Sequence, residues 1–395
     1  MKSFQYYSPT EVLFGKNEEA NTGAYVKKWG GTKALLHYGG KSAEKSGLLD
    51  RVKASLDEAG IAYVTLGGVQ PNPLLSLVYK GIELCKQENV DFILAVGGGS
   101  VIDSAKGIAV GLGHPDEDVW DFYLGKQVKN CYPVGVVLTI AAAGSETSNS
   151  SVVTKDEGRI KRSIDQDPIR PRFAVMNPEL LYTLPRYQIA CGVTDIMMHT
   201  LERYFSHKDT LGNDLTDKIA EAVLDNVIQY GPRFYQNPTD YKAASEIMWA
   251  GSISHNNLTG CGNGGDFATH LIGHELSGRY DAAHGATLAA VWGSWARYVM
   301  PDNPLRFAQY AVKVWGCDLD SVCPENTALA GIKKTEEFFK SIDMPISIPE
   351  LVEGVTDQDL QKMTDLCISL GRTAIGGFKK LEKTDVLAIY KMANK

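Results

Sequence analysis

The sequence predicts an α/β fold with a parallel sheet over residues 1–185, followed by an all-α domain over residues 186–395. Three observations carry this. Short apolar runs alternate with amphipathic stretches only in the first part, and the second part reads as a succession of helical patterns. The length of 395 residues is too great for one ordinary domain, and a hydrophobic content of 44% gives each of two domains its own core.

In the first part ALLHY (34–38), AYVTL (62–66), FILAV (92–96) and VGVVLT (134–139) are buried-strand candidates, separated by helical periodicity at 42–59, 74–88 and 101–112. Strand, helix, strand repetition implies parallel pairing. The opening FQYYSPTEVLF (4–14) alternates enough for a hairpin, yet Pro9 would deny a central strand a ladder bond, so an edge position or a subunit contact suits it better. Beyond Leu184-Pro185, helices are expected at 187–206, 212–230, 240–258, 264–277, 284–298 and 304–315, with breaks at Gly231-Pro232 and Asn237-Pro238.

The net charge of −7, without any block of five like charges, argues against nucleic acid or anionic membrane as partner and favours a small polar or neutral substrate. Seven scattered cysteines form no Cys-x-x-Cys pair and the opening residues are not an apolar export segment, so reduced thiols and a cytoplasmic location are expected. No apolar run approaches the ~20 residues of a membrane helix.

Gly97-Gly98-Gly99-Ser100 follows FILAV directly and opens the helical stretch VIDSAKGIAVG. At a strand-to-helix turn, residues without Cβ atoms let backbone N–H groups approach a pyrophosphate, and the positive end of the helix favours its charge. Ser100 adds a hydroxyl or a cap. The same glycines would also serve a tight turn needing positive φ, and the G-x-G-x-x-G fingerprint is absent. A second turn, Gly39-Gly40-Lys41-Ser42, follows the first strand, where an NAD-binding domain would present an acid to the ribose hydroxyls. Gly39 and Gly40 leave space instead, while Lys41 and Ser42 suit a 2′-phosphate, which points to NADP(H). A surface loop with a solvated lysine is the plainer alternative.

Asp195 and His199 are spaced i, i+4 in CGVTDIMMHTLERYF, on one helix face. His270 and His274 repeat that spacing in DFATHLIGHELSG, and His284 opens the helical run HGATLAAVW. Either pair alone would be an ordinary core or surface pair; together they supply one carboxylate and several imidazoles, a set suited to Fe²⁺ or Zn²⁺ rather than Ca²⁺ or Mg²⁺. Glu202, Asp266 and Glu275 are placed to orient imidazoles. Four protein ligands leave one histidine over, and His274 is the candidate for a group beside the substrate. HELSG does not complete H-E-x-x-H, which disfavours peptide hydrolysis.

PTEVLFG (9–15), QPNP (70–73), GGGSVIDSAK (97–106), TIAAAGSE (139–146), the Asp195/His199 pair and the 270–285 histidine pattern occur in one order along the chain. In these motifs it resembles the iron-dependent, group III alcohol dehydrogenase family over essentially its full length. YGGKS (38–42), GNGGDFATHLIGHELSG (262–278) and YDAAHGATLAAVWGSW (280–295) bring it nearest the NADPH-dependent butanol dehydrogenase and broad aldehyde reductase branch. The resemblance implies a dehydroquinate-synthase-like dinucleotide-binding domain, a helical metal-binding domain and a homodimer formed through N-terminal strands. It implies Asp195, His199, His270 and His284 as metal ligands, His274 beside the nicotinamide and Lys161 near the reacting centre. Asn72, Asp103, Thr139, Ser145 and Ser148 become further cofactor residues.

The implied activity is metal-assisted hydride transfer between NADP(H) and an aldehyde or primary alcohol such as butanal or butanol. A polyol dehydrogenase of the glycerol type or a dehydroquinate-synthase-like enzyme is the alternative within the same architecture. Lys155, Arg159, Lys161 and Arg162 leave room for an acidic substrate, although exposed solvated charges explain them equally. A metal-stabilised binding protein without catalysis is the alternative from another class, and would leave the glycine turn idle.

Overall fold

The strands are β1 (Glu11–Phe14), β2 (Lys33–Tyr38), β3 (Ala62–Leu66), β4 (Phe92–Gly97), β5 (Val134–Leu138), β6 (Ser150–Lys155), β7 (Ile160–Asp165) and β8 (Phe173–Met176). The computed structural model describes residues 3–40, 42–207, 213–369 and 371–395. It divides into one unit over Tyr7–Leu184 and a second over Pro185–Lys395, with which the first residues through Tyr6 group. In the first unit six strands form a sheet in the order β1-β8-β5-β4-β2-β3, every pairing parallel.

Helices α1 (Thr22–Lys28), α2 (Ser42–Lys45), α3 (Leu48–Ala59), α4 (Leu75–Glu88), α5 (Gly99–Gly113) and α6 (Val119–Tyr123) connect these strands. Every residue of β4 and β5 is buried, as expected for central parallel strands covered on both faces. Alternate side chains divide between the faces. Leu36, Leu94, Val96, Val137 and Val175 pack with Val26 of α1 and Val52 and Leu56 of α3 in one cluster. Leu35, Ile93, Ala95 and Val136, one residue out of phase, point to the opposite face, where α5 lies against β4.

The second unit is helical: α7 (Arg186–Tyr204), α8 (Asp214–Gln236), α9 (Tyr241–His255), α10 (Ala268–Tyr280), α11 (His284–Val299), α12 (Pro304–Trp315), α13 (Pro324–Ser341), α14 (Ile348–Leu351), α15 (Asp357–Cys367) and α16 (Lys383–Ala393). From Gly192 to Tyr204 every residue of α7 is buried, so this helix forms the centre of the unit. No described helix is long and apolar enough to cross a membrane.

Several expectations are corrected. The opening segment forms no hairpin, although the edge position expected for it is observed: β1 lies at the sheet edge, parallel to β8. The helix expected over 42–59 is interrupted at Gly47, whose φ of 70° breaks the helical path between α2 and α3. Gly231-Pro232 does not end α8, which runs on to Gln236 because burial of Gly231 and Phe234 holds the turn that the proline weakens. The helix expected from 264 starts at Ala268, after Phe267 takes the left-handed conformation at φ 57°. The segment 147–165 contains the antiparallel hairpin β6–β7, in which Lys161 and Arg162 are buried rather than solvated.

Candidate active site

In the first unit the chain passes from β2 outward to β3, then returns to place β4 on the other side of β2. At such a reversal the loops leave the sheet in opposite directions and open a crevice beyond the carboxyl ends of the strands. Both glycine turns emerge there, Gly39-Gly40 after β2 and Gly97-Gly99 around the end of β4, with Tyr38 and Val96 in register. Thr139 leads off the adjacent β5, its N–H donating to the Gly97 carbonyl at 3.1 Å.

None of Gly97, Gly98 and Gly99 has a positive φ. A Cβ on Gly97 would stand 2.5 Å from Val101 and one on Gly98 2.8 Å from Ile140. Glycine is therefore required by the close packing of turn, helix and the loop after β5, not by the handedness of the turn. α5 begins at Gly99 with no side-chain cap, and its first amides, at Gly99 and Ser100, are directed as an anion site requires. A Cβ on Gly39 would make ordinary contact with Val69 and Val101, and one on Gly40 would meet nothing within 4 Å. Lys41 and the side chain of Ser42 lie outside the described residues.

The loop after β5 is held from beneath by a residue the spacing arguments overlooked. Buried Lys106 donates from Nζ to the carbonyls of Ser145 (2.6 Å), Ser150 (2.7 Å) and Ser148 (3.0 Å), and to Ser145 Oγ (3.0 Å). One turn earlier, Asp103 accepts from Ser145 Oγ at 2.6 Å and from the Val152 N–H at 3.0 Å. Burial pushes Asp103 up to about 6 despite the ammonium nearby, and pushes Lys106 down to about 8 despite the carboxylate. Asp103, Ser145 and Ser148 thus bind one another's surroundings and fix the loop. Lys161 of β7 donates to Asn72 Oδ1 at 3.0 Å, both residues buried and Asn72 left-handed at φ 56°.

In the second unit Asp195 and His199 share one face of α7, His270 comes from α10 and His284 from the first residue of α11. Asp195 Oδ1 lies 3.5 Å from His199 Nδ1, 3.5 Å from His270 Nε2 and 3.7 Å from His284 Nε2. Two ligands each about 2.1 Å from a common ion at the tetrahedral angle stand roughly 3.4 Å apart. The separations of Asp195, His199 and His270, whose ligand atoms all lie within 4.8 Å of one another, fit one shared ion, and His284 borders that group at 3.7 Å from Asp195. Asp195 Oδ1, His199 Nδ1 and His270 Nε2 are buried with no hydrogen-bond partner, an arrangement that is costly unless a cation completes it.

The approach of α11 depends on Gly285, where a Cβ would fall 2.1 Å from the Cys191 carbonyl oxygen of α7. Buried Glu202, one turn beyond His199, accepts from the His270 N–H at 3.1 Å and from His270 Nδ1, which leaves Nε2 to face Asp195. Burial alone would lower the His270 pKa, but Glu202 and Asp195 outweigh it and hold it up at about 9. His199 is held well below its usual value by burial and by the cationic groups around it. Asp266 accepts from the backbone of Ala268, Gly377 and Phe378 instead of from an imidazole, and burial pushes it up to about 7. Glu275 is half-buried one position beyond His274. His274 is itself half-buried, its ring 5.2 Å from that of His284.

His255, at the end of α9, was not singled out by any spacing, yet its ring lies 4.1 Å from the ring of His199.

Comparison with known proteins gives a consistent picture. Residues 9–178 match the model of the family described as iron-containing alcohol dehydrogenase, and residues 189–394 match that of the Fe-containing alcohol dehydrogenase family, C-terminal. The chain is 38% identical to NADH-dependent butanol dehydrogenase A of Clostridium acetobutylicum, with 99% of each chain covered. It is 33% identical to the NADPH-dependent aldehyde reductase YqhD of Escherichia coli, over 92% of this chain and 95% of that one. The crystal structure of NADH-dependent butanol dehydrogenase A from Thermotoga maritima superposes with a TM-score of 0.95 at 34% identity, covering 100% of this chain and 99% of the other.

Proposed function

The chain belongs to the iron-containing alcohol dehydrogenase family, and we propose that within it the protein is an NADPH-preferring aldehyde reductase and alcohol dehydrogenase of broad specificity. As a member it is a metal-dependent oxidoreductase that uses a nicotinamide cofactor on alcohols and aldehydes. The proposed substrates are butanal-like aldehydes and the corresponding primary alcohols, following the names of the relatives. The observation that carries the reading is the convergence of His199, His270 and His284 on one buried oxygen of Asp195.

Asp195, His199, His270 and His284 are the proposed ligands of one Fe²⁺ or Zn²⁺, with Glu202 orienting His270. When bound, the ion supplies positive charge for a carbonyl oxygen and the nicotinamide supplies hydride to its carbon. The N-terminus of α5 is proposed to hold the pyrophosphate, with Gly97, Gly98, Gly99 and Ser100 around it. Thr139 and the loop pinned by Lys106 and Asp103 are proposed to shape the nicotinamide side, with Lys161 held toward it by Asn72. His274 is proposed to stand beside the nicotinamide as a proton donor or acceptor.

NADPH preference is supported by the missing acid at Gly39 and the open space at Gly40. NADH preference is the second reading, favoured by the NADH-dependent butanol dehydrogenases at 38% and 37% identity. A homodimer is proposed through β1, an edge strand on which Phe14 is exposed.

Absorbance at 340 nm tests these points together, with butanal and either NADPH or NADH, on metal-stripped protein before and after return of Fe²⁺ or Zn²⁺. Oxidation of NADPH that requires added metal and exceeds that of NADH is the expected outcome. Faster NADH oxidation would select the second reading, and no metal dependence would remove the assigned role of the four ligands.

A further inference from the structure

Arg203 lies one turn beyond His199 on α7 and is buried. Its Nη1 donates back to the His199 carbonyl at 3.1 Å, and its Nη2 meets His255 Nδ1 at 3.2 Å and Asn257 Oδ1 at 3.3 Å. The guanidinium also sits over the Phe267 ring, 4.9 Å from its centroid, just before α10 begins. A guanidinium only donates, so His255 Nδ1 must accept and the proton of the neutral ring belongs to Nε2. Arg203 therefore sets both the tautomer and the rotation of His255.

The ring so fixed packs on His199, with centroids 4.1 Å apart and planes inclined by 54°. On another side His199 meets His270, 4.5 Å away. Glu202 holds His270 by its Nδ1, whereas His199 Nδ1 has no hydrogen-bond partner and faces Asp195. His199 Nδ1 thus lacks the hydrogen bond by which Glu202 aligns His270, and the His199 ring is confined by the rings packed on it, of which His255 is the nearer.

We propose that His255, locked by Arg203, is a positioning residue that aligns the imidazole of His199 for metal binding by packing against its ring. This rests on Asp195, His199, His270 and His284 being the ligands of one ion. His255 is outside that ligand set: its Nδ1 is turned to Arg203, and it meets the cluster through its ring against His199.

Metal-free protein titrated with Co²⁺ tests this, following both the dissociation constant and the visible absorption of the bound ion. Unmodified protein is expected to bind one Co²⁺ and Asp195→Ala to lose it. His255→Ala is expected to bind at least about tenfold more weakly, the scale on which groups that orient metal ligands act, with an altered absorption band. His255→Phe, which returns a ring to the face of His199, is expected to recover most of the affinity. Should His255→Ala fail to fold by circular dichroism, His255→Asn, which offers Arg203 an acceptor but no ring, carries the same comparison.

Wild-type affinity and absorption in the alanine or asparagine variant, or no recovery in the phenylalanine variant, would overturn the role of His255 while leaving the metal site intact. Co²⁺ binding unaffected by Asp195→Ala would instead overturn the site assignment and this inference together.

Discussion

At the scale of single residues, the polar groups that matter most are buried and each has its partners supplied by distant parts of the chain. Lys106 is the plainest case. Its ammonium gathers three carbonyls of the segment 145–150 and balances Asp103, so a side chain on α5 defines the loop after β5. Lys106→Met keeps the length but leaves those carbonyls and Asp103 without a cation. The expected result is a loss of about 3 kcal/mol in unfolding free energy, the lower end for breaking a buried ionic contact. A several-fold rise in the KM for the nicotinamide cofactor should accompany it. Urea denaturation and initial-rate kinetics give the two values, and an unchanged KM would detach the loop from cofactor binding.

At the scale of elements, the second unit assembles its cluster by bringing three helices to one another at positions without side chains. Gly285 allows α11 to start against the backbone of α7, and Gly273 faces Thr287 and Leu288 between α10 and α11. Since His284 precedes Gly285, any displacement of this contact moves an imidazole away from Asp195. Gly285→Ala, with Cβ 2.1 Å from the Cys191 carbonyl oxygen, cannot be accommodated without such a shift. It is expected to lower metal affinity about tenfold and to cost about 1–3 kcal/mol of stability through overpacking. Metal content after dialysis, together with thermal unfolding, would show both, and full metal retention would separate the glycine from the site.

For the molecule as a whole, acid sensitivity is expected from a histidine of the first unit. His37 lies in β2, fully buried, with Nδ1 donating to the Leu66 carbonyl at 2.8 Å, so that Nε2 accepts from Ser104 Oγ at 2.9 Å. It ties β2 to the neighbouring strand β3 and to α5, and its burial favours the neutral ring. Burial pushes its pKa from 6.5 to about 4, against the smaller opposing effect of the Leu66 hydrogen bond. The unfolded chain therefore binds the proton first on acidification. The stabilisation is fully present above pH 6.5 and is lost as the pH falls toward 4, about 3 kcal/mol at ~1.4 kcal/mol per pH unit. Unfolding midpoints measured between pH 7 and pH 4 should fall less steeply in His37→Phe than in the unmodified protein. Equal slopes would assign the acid sensitivity elsewhere.

Local sequence determined the two-part organisation, four of the six strands of the sheet and the paired residues 195/199 and 270/274, because each is a short-range regularity, whereas His284 as a ligand in place of His274 came from the family resemblance. Apolar runs of strand length, the i, i+4 pairs at 195/199 and 270/274, and glycines between strand and helix are all written within a few residues. Strand β8 was missed because its apolar run is only four residues long, and the hairpin β6–β7 because polar and charged residues interrupt it; only burial distinguishes Lys161 and Arg162 from solvated cations. Tertiary structure alone decided that Gly97 and Gly98 answer to Val101 and Ile140 rather than to positive φ. It also decided that Lys106 pins a loop some forty positions away and that His255 meets His199. The physical reason is the same in each case: close packing and hydrogen bonding act through space at a few ångströms, and nothing in the spacing of residues along the chain records which distant segment will occupy that distance.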